Sequence, residues 1–322
     1  MFNDLDLYNK KYQKEIIKSI VKTVKENSFI FGKNVEKLEK QLSKFTNSKY
    51  VITVGSGTDA ILISLMSLNL KEGDEVILPS FSWLSVIEVV LLLKLKPIFV
   101  DTDIYEFNLD VNKVKKLINK NTKAIISTSL FGRTCNLNIL KKVLPKRICL
   151  IEDGAQNLGS IYNKKSSLNI ADISCTSFFP TKNLGSFGDG GAIFTNNKKK
   201  YDQMVMIRNH GQEKYSYTSR QLGLNSRLGT IQASILIEKL RKIKSKLDMQ
   251  MKLYQKYQIF FIKHKITGFP KLRNTSLIKD SCSAFNILVK KRKILVKDLK
   301  KNKIPFKIYY PKPLYKQYNL KK

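Results

Sequence analysis

The chain has 322 residues, with 59 Lys+Arg against 25 Asp+Glu, a formal net charge of +34, and 43% hydrophobic residues. That length and apolar content suit one large core with a smaller domain beside it and exclude a disordered chain. Its four cysteines, Cys135, Cys149, Cys175 and Cys282, form no C-x-x-C pair and it has two histidines, so neither a disulfide framework nor a metal site is expected.

The N-terminus is polar and lacks the apolar core of a signal peptide. Residues 11–26 intersperse lysines with Ile16, Ile17, Ile20, Val21 and Val24, the pattern of an amphipathic helix, and a second helix is expected over 34–45. A strand at 50–54 runs into Gly55-Ser-Gly-Thr-Asp-Ala60 and a helix over 61–68. Strand, glycine turn and helix N-terminus make an anion site, because free N–H groups and the helix dipole face the turn. The turn is neither a Walker loop nor a dinucleotide fingerprint. A strand at 75–78 leads through Pro79-Ser-Phe-Ser-Trp83 into a helix over 84–94, whose apolar run is too short to span a bilayer. Strands at 97–100, 123–127 and 148–151 then alternate with helices over 110–119 and 136–144. Such alternation predicts βαβ units and a mostly parallel sheet, whose ligands bind at the carboxyl ends of the strands. Beyond residue 190 the spacing predicts a strand at 192–195, helices over 197–208 and 230–262, strands at 283–289 and 306–310 and a basic helix over 291–302. A boundary near residue 245 divides a large domain, 1–245, from a small α+β domain, 246–322.

Between the strands lies Ser177-Phe-Phe-Pro-Thr-Lys-Asn-Leu-Gly-Ser-Phe-Gly-Asp-Gly-Gly191. Lys182 sits between Pro180 and a run of glycines, at 185, 188, 190 and 191, that permit tight turns and close backbone approach. A lysine so placed suits Schiff-base chemistry; a solvated loop lysine is the alternative. Pyridoxal phosphate needs such a lysine, a carboxylate at its ring nitrogen, donors for its phosphate and a flat cover for its ring. Asp153, ending a strand, can supply the carboxylate or else cap the next turn. Trp83 can stack on the ring or else pack in the core. Gly57, Thr58 and Ser177 can hold the phosphate.

Gly55–Ala60, Pro79–Trp83, Glu152-Asp-Gly-Ala-Gln156, Ser177–Gly191, Arg208-Asn-His-Gly211 and Asn225-Ser-Arg-Leu228 resemble, in order and spacing, the successive motifs of the DegT/StrS-type nucleotide-sugar aminotransferases. The resemblance runs from about residue 10 to the C-terminus and implies the pyridoxal-phosphate-dependent transferase fold type I. It implies that Lys182 carries the cofactor and shuttles the proton, and that Asp153 pairs with the ring nitrogen. Gln156 would contact the phenolic oxygen and Trp83 would stack on the ring, while Gly57, Thr58 and Ser177 hold the phosphate. Asn225 would reach that phosphate from a second subunit, implying a homodimer with shared sites, and Arg227 would face the anionic end of the substrate. L-Glutamate is the implied amino donor. Cys175–Pro180, Asp189–Thr195 and Tyr309-Tyr-Pro-Lys-Pro-Leu-Tyr-Lys-Gln317 look most like the enzymes that aminate C3 of UDP-2-acetamido-2-deoxy-3-oxo-glucuronate for surface polysaccharide, with a 4-keto-hexose nucleotide as the alternative substrate. Tyr309 stands where close relatives carry His, and Tyr309 and Tyr310 are the expected substrate contacts there. Relatives run several dozen residues past Gln317, so the small domain is expected to be incomplete. Some relatives replace the lysine with His and dehydrate sugars; Lys182 argues against that chemistry here.

The charge excess invites a polyanionic partner. Lysine supplies 51 of the basic residues and arginine eight, with Asn and Ile abundant, the composition that drift in an AT-rich genome produces. Base-edge readout favours arginine forks. The sequence therefore points to a cytoplasmic enzyme with neither a membrane nor a specific nucleic-acid partner, the alternative being a non-enzymatic regulatory protein that binds pyridoxal phosphate or nucleic acid.

Overall fold

The near-continuous apolar runs at 51–54, 76–78 and 124–126 leave no polar face, so each strand must be covered on both sides. The computed structural model of the chain describes residues 9–10, 12–213 and 217–318, and shows how this is done. Residue 11, where the first helix was expected to begin, and both chain ends lie outside the described residues.

Seven strands form the main sheet: β1 (Tyr50–Val54), β2 (Glu75–Pro79), β3 (Lys96–Val100), β4 (Thr122–Thr128), β5 (Cys149–Asp153), β8 (Ile173–Ser177) and β9 (Gly191–Thr195). Their order is β1-β9-β8-β5-β4-β2-β3. The ladders β2/β3, β2/β4, β4/β5 and β5/β8 are parallel, and β9 runs antiparallel to both its neighbours. Six strands therefore point one way and β9 alone points back, which makes the sheet mostly parallel, as expected. Two short strands between β5 and β8, β6 (Ile161–Tyr162) and β7 (Lys165–Ser166), join β10 (Ile278–Lys279) in a small second sheet that the sequence did not reveal.

On one side, α1 (Gln13–Lys25) and α2 (Lys33–Thr46) lie against α8 (Thr230–Leu240). Between strands come α3 (Gly57–Met66), α4 (Ser85–Leu92), α5 (Val111–Leu117) and α6 (Leu137–Val143), and α7 (Lys198–Arg208) follows β9. Ile52, Val54, Ile61, Leu65, Leu78, Val86 and Ile126 form one core of this sandwich. Val51, Phe178, Phe194, Leu236 and Leu240 form part of another.

Three expectations need correction. The helix expected over 230–262 is two, α8 and α9 (Ile243–Lys263), with Lys242 leaving the helical conformation between them. The break lets Leu240, Ile243 and Leu247 join the same core as Ala233 and Ile237. Residues 283–289 and 306–310 form no β-ladder. Their alternation reflects packing against a helix and loops: Ser283 N–H donates to the Phe131 carbonyl, and Phe285 lies among Tyr254, Tyr257 and Phe261 of α9 and Phe269. The basic helix is present as α10 (Arg292–Lys301).

The C-terminal part is tied back to the large sheet in two ways. Leu314 is fully buried in the core beside α4, its N–H donates to the Ser80 carbonyl, and the Tyr318 hydroxyl donates to Glu88. Elsewhere Asp280, 3% exposed, takes bonds from Arg133 and Arg273, and Glu106 bridges the same two guanidiniums. Asp280→Ala would leave two partly buried arginines with the half-exposed Glu106 as their one remaining shared carboxylate. It is expected to cost about 3–5 kcal/mol. Urea denaturation checks this, and a loss under about 1 kcal/mol would show the cluster to be decorative.

Candidate active site

Strand direction brings the sequence-marked residues to one edge. Because β8 and β9 are antiparallel neighbours, with Ser177 opposite Gly191, residues 178–190 form the connection between them. Lys182 lies on it, at the edge where β5 ends in Asp153, β1 runs into the glycine turn and β2 ends in Pro79. The loop folds on itself: Lys182 N–H donates to the Phe179 carbonyl and Ser186 N–H to the Phe178 carbonyl. None of its four glycines has a positive φ, and Gly185, Gly190 and Gly191 work by close approach, while Gly188 has room for a Cβ. A Cβ on Gly191 would stand 2.5 Å from the Ser56 carbonyl oxygen.

Asp153 is 5% exposed. Its Oδ1 accepts the Ala155 N–H at 3.1 Å, so the turn-capping role is present too, and no other hydrogen bond to this carboxylate is described. Burial pushes its pKa up, against the pull of the Ala155 N–H and the Lys182 charge. At Lys182, burial pushes the amine pKa down and the Asp153 charge pulls it back. The charges of the two groups thus act on each other in a poorly solvated space. Next along β5, Glu152 points to the other side of the sheet and is pushed up to about 7 by burial, although Ser129, Ser174 and Asn157 all donate to it.

The anion cradle is also built. Ser56 caps α3 by accepting the Asp59 N–H at 3.0 Å, so the helix begins at Gly57, earlier than its apolar run suggested. The N–H groups of Gly57 and Thr58, in the first turn, have no acceptor within the helix. A Cβ on Gly57 would come within 2.7 Å of Ser177 Cβ, which shows how closely β8 approaches the turn. Ser226, which the sequence did not single out, braces the turn: it accepts the Gly55 N–H and donates to Asp59. Its neighbour Asn225 was marked; the serine between two marked residues was the available signal.

Gln156 is oriented by its surroundings. Its Oε1 accepts the Phe131 N–H at 2.9 Å and its Nε2 donates to the Tyr310 hydroxyl at 3.2 Å. The Tyr310 ring lies 5.3 Å from Phe81 and 6.1 Å from Trp83, centroid to centroid, so the C-terminal segment reaches the site. Trp83 is 56% exposed, which removes the core-packing alternative for its ring. Tyr309 packs against Phe131. Asn225 and Arg227 sit in a separate neighbourhood: Asn225 is exposed and bridges to Asn209, and Arg227 donates to Asn209 and lies 5.9 Å from the Phe31 ring centroid.

The donor set fits pyridoxal phosphate. A half-buried amine interacts with a buried acid with acceptor capacity to spare, beside a helix N-terminus that can take a phosphate and an amide held donor-outward. No group of three metal-ligating side chains occurs among the described residues, and no helix there is long and apolar enough to cross a membrane.

The chain is similar to the UDP-2-acetamido-2-deoxy-3-oxo-D-glucuronate aminotransferase of Pseudomonas aeruginosa, 36% identical over 98% of this chain and 87% of that protein. Among solved structures it is similar to a DegT DnrJ EryC1 StrS aminotransferase from Brucella abortus, with a TM-score of 0.92 and 30% identity, covering 98% of this chain and 86% of that one. It is also similar to NtdA from Bacillus subtilis with bound cofactor PMP, with a TM-score of 0.87 and 27% identity, covering 95% of this chain and 70% of that one. The model of the DegT/DnrJ/EryC1/StrS aminotransferase family matches residues 10–322. The chain belongs to that family: it is a transaminase whose cofactor is pyridoxal 5′-phosphate.

Proposed function

We propose that this enzyme moves the amino group of L-glutamate to C3 of UDP-2-acetamido-2-deoxy-3-oxo-glucuronate, giving an amino sugar for surface polysaccharide. The observation that carries the reading is the interacting pair Lys182 and Asp153 beside the Gly57–Ser177 cradle. The choice of sugar rests on the similarity to the Pseudomonas aeruginosa enzyme.

The cofactor, when bound, supplies an electron sink that lets nitrogen move between two carbonyl carbons. The chain supplies the rest. The N–H groups of Gly57 and Thr58 and the Ser177 hydroxyl hold the phosphate. Asp153 keeps the ring nitrogen protonated, its own negative charge favoured by the new partner. Gln156 presents Nε2 toward the phenolic oxygen because its Oε1 is committed to Phe131. Trp83 covers the ring. Lys182 would carry the cofactor, and its amine, its pKa lowered by burial, would move the proton at the donor carbon.

Arg227 meets the anionic end of the substrate, with Tyr309 and Tyr310 on the sugar side. Asn225 reaches the phosphate of a second copy in a homodimer. Phe29, Ile30, Phe31, Phe179 and Phe187, each 44–52% exposed, supply apolar surface for that interface. A cytoplasmic location suits four buried, unpaired cysteines.

Incubation of the purified protein with the 3-keto sugar nucleotide and glutamate should give a C3 amine, read by NMR. Turnover of a 4-keto-hexose nucleotide instead would move the reading to C4. Loss of a hydroxyl without gain of nitrogen would make the chain a dehydratase.

A further inference from the structure

We propose that Lys239 and Lys246 are positioning residues for Lys182: two ammonium groups, one buried on α8 and one half-buried on α9, that hold the 182–185 backbone by its carbonyls. The proposal rests on Lys182 being the cofactor-bearing lysine. Lys246 Nζ donates to the Lys182 carbonyl at 3.0 Å and to the Asn183 carbonyl at 2.9 Å. Lys239 Nζ donates to the Gly185 carbonyl at 2.7 Å and lies 4.5 Å from the centroid of the Phe187 ring.

These amines stand where stability alone favours methyl groups. Lys239 is 4% exposed, and the same two helices put Leu236, Leu240, Ile243 and Leu247 into the core. Burial pushes both ammonium groups down to about 8, and at Lys239 the charge of Lys246 adds to the effect. A buried cation is costly unless hydrogen bonds satisfy it, and an apolar side chain of similar size would serve packing at least as well. What an ammonium does and a methyl cannot is donate to several carbonyls at once.

The consequence falls on Lys182. Its N–H is taken by Phe179, its carbonyl by Lys246, and the next residue is fixed through Asn183 Nδ2, which donates to the Leu158 carbonyl and to Ser281. The backbone under Lys182 is therefore immobile, and its freedom is confined to side-chain torsions. A lysine that must reach first a cofactor and then a substrate carbon needs this division: a fixed Cα and a swinging amine.

The test compares full-length wild type with Lys239→Met and Lys246→Met, with Lys246→Gln and Lys246→Arg as variants that keep donors. Amide hydrogen exchange over 182–187 is read with and without cofactor, alongside the pH titration of the bound cofactor's visible absorbance and the separate kcat and KM. Each Met variant should speed exchange in that loop roughly ten- to a hundredfold, leave β4 and β5 protected, shift the absorbance midpoint and lower kcat more than it changes KM. Lys246→Arg should restore much of this. Wild-type exchange in the loop of the Met variants would overturn the proposal. So would faster exchange with an unmoved absorbance titration and kcat, which is the mark of a purely structural role. Should the Met variants fail to fold, Lys246→Ala, which also removes the donor at a half-buried position, decides by the same readings. Exchange without cofactor does not depend on what Lys182 does, so a wrong assignment of Lys182 shows separately, as a reduced-cofactor label on another lysine.

Discussion

Lys182→Ala is expected to abolish transamination while the protein still takes up pyridoxal phosphate without a covalent bond. Two functions leave with the amine. Covalent attachment of the aldehyde is lost outright. Proton transfer at the donor carbon is lost too, a contribution of about 10²–10⁴ in rate by itself. The phosphate cradle, Asp153 and Gln156 are untouched by the substitution, and Lys182 is anchored through backbone groups that alanine retains. Equilibrium dialysis should therefore show cofactor retained with weakened affinity, and stopped-flow absorbance should show no half-reaction. Borohydride reduction of the wild type followed by peptide mapping identifies the lysine directly. A label on any of the other lysines would sink the assignment.

Asp153→Asn should be nearly as damaging for a different reason. The asparagine fits the space and keeps an acceptor for the Ala155 N–H. It brings no negative charge to the ring nitrogen, so the nitrogen loses its proton and the ring its electron demand. Removing one partner of a buried, hydrogen-bonded charge pair costs about 2–5 kcal/mol, or roughly thirty- to several-thousandfold in rate. The cofactor-free protein should unfold no more easily than wild type, because burial works against the Asp153 charge in the absence of a partner. A single-turnover rate within about threefold of wild type would show that the ring proton is held by something else.

Much of this site was legible because its residues are local in sequence. A turn such as Gly55–Ala60 carries its chemistry in adjacent positions, and Asp153 and Ser177 are marked by ending strands. What escaped notice depends on distant partners. Ser226 braces Gly55 from far along the chain, and Gln156 is oriented by Phe131 and Tyr310. Lys239 and Lys246 are hidden among 51 lysines, and nothing in an amphipathic helix pattern separates a lysine that snorkels to water from one that turns inward to a carbonyl. The strands expected at 283–289 and 306–310 failed for a related reason: alternation records which side chains are covered, and a helix or a loop can cover them as well as a neighbouring strand.

The reversed strand β9 also bears on how the chain is made. β1 is the first of the main sheet's strands along the chain, yet among the described residues its one neighbour in the sheet is β9, paired from Tyr50 with Thr195 to Val54 with Gly191. On a ribosome β1 emerges and waits, its backbone edge without a partner strand, until Gly191–Thr195 has been made. β2, β3 and β4 meet one another much sooner. Pairing across so long a stretch is slow, and an apolar strand left open in the meantime invites association between nascent chains. The closing of the sheet by β9 is also the event that draws the Lys182 loop shut, so the segment that bears the chemistry takes shape together with the last joint of the main sheet.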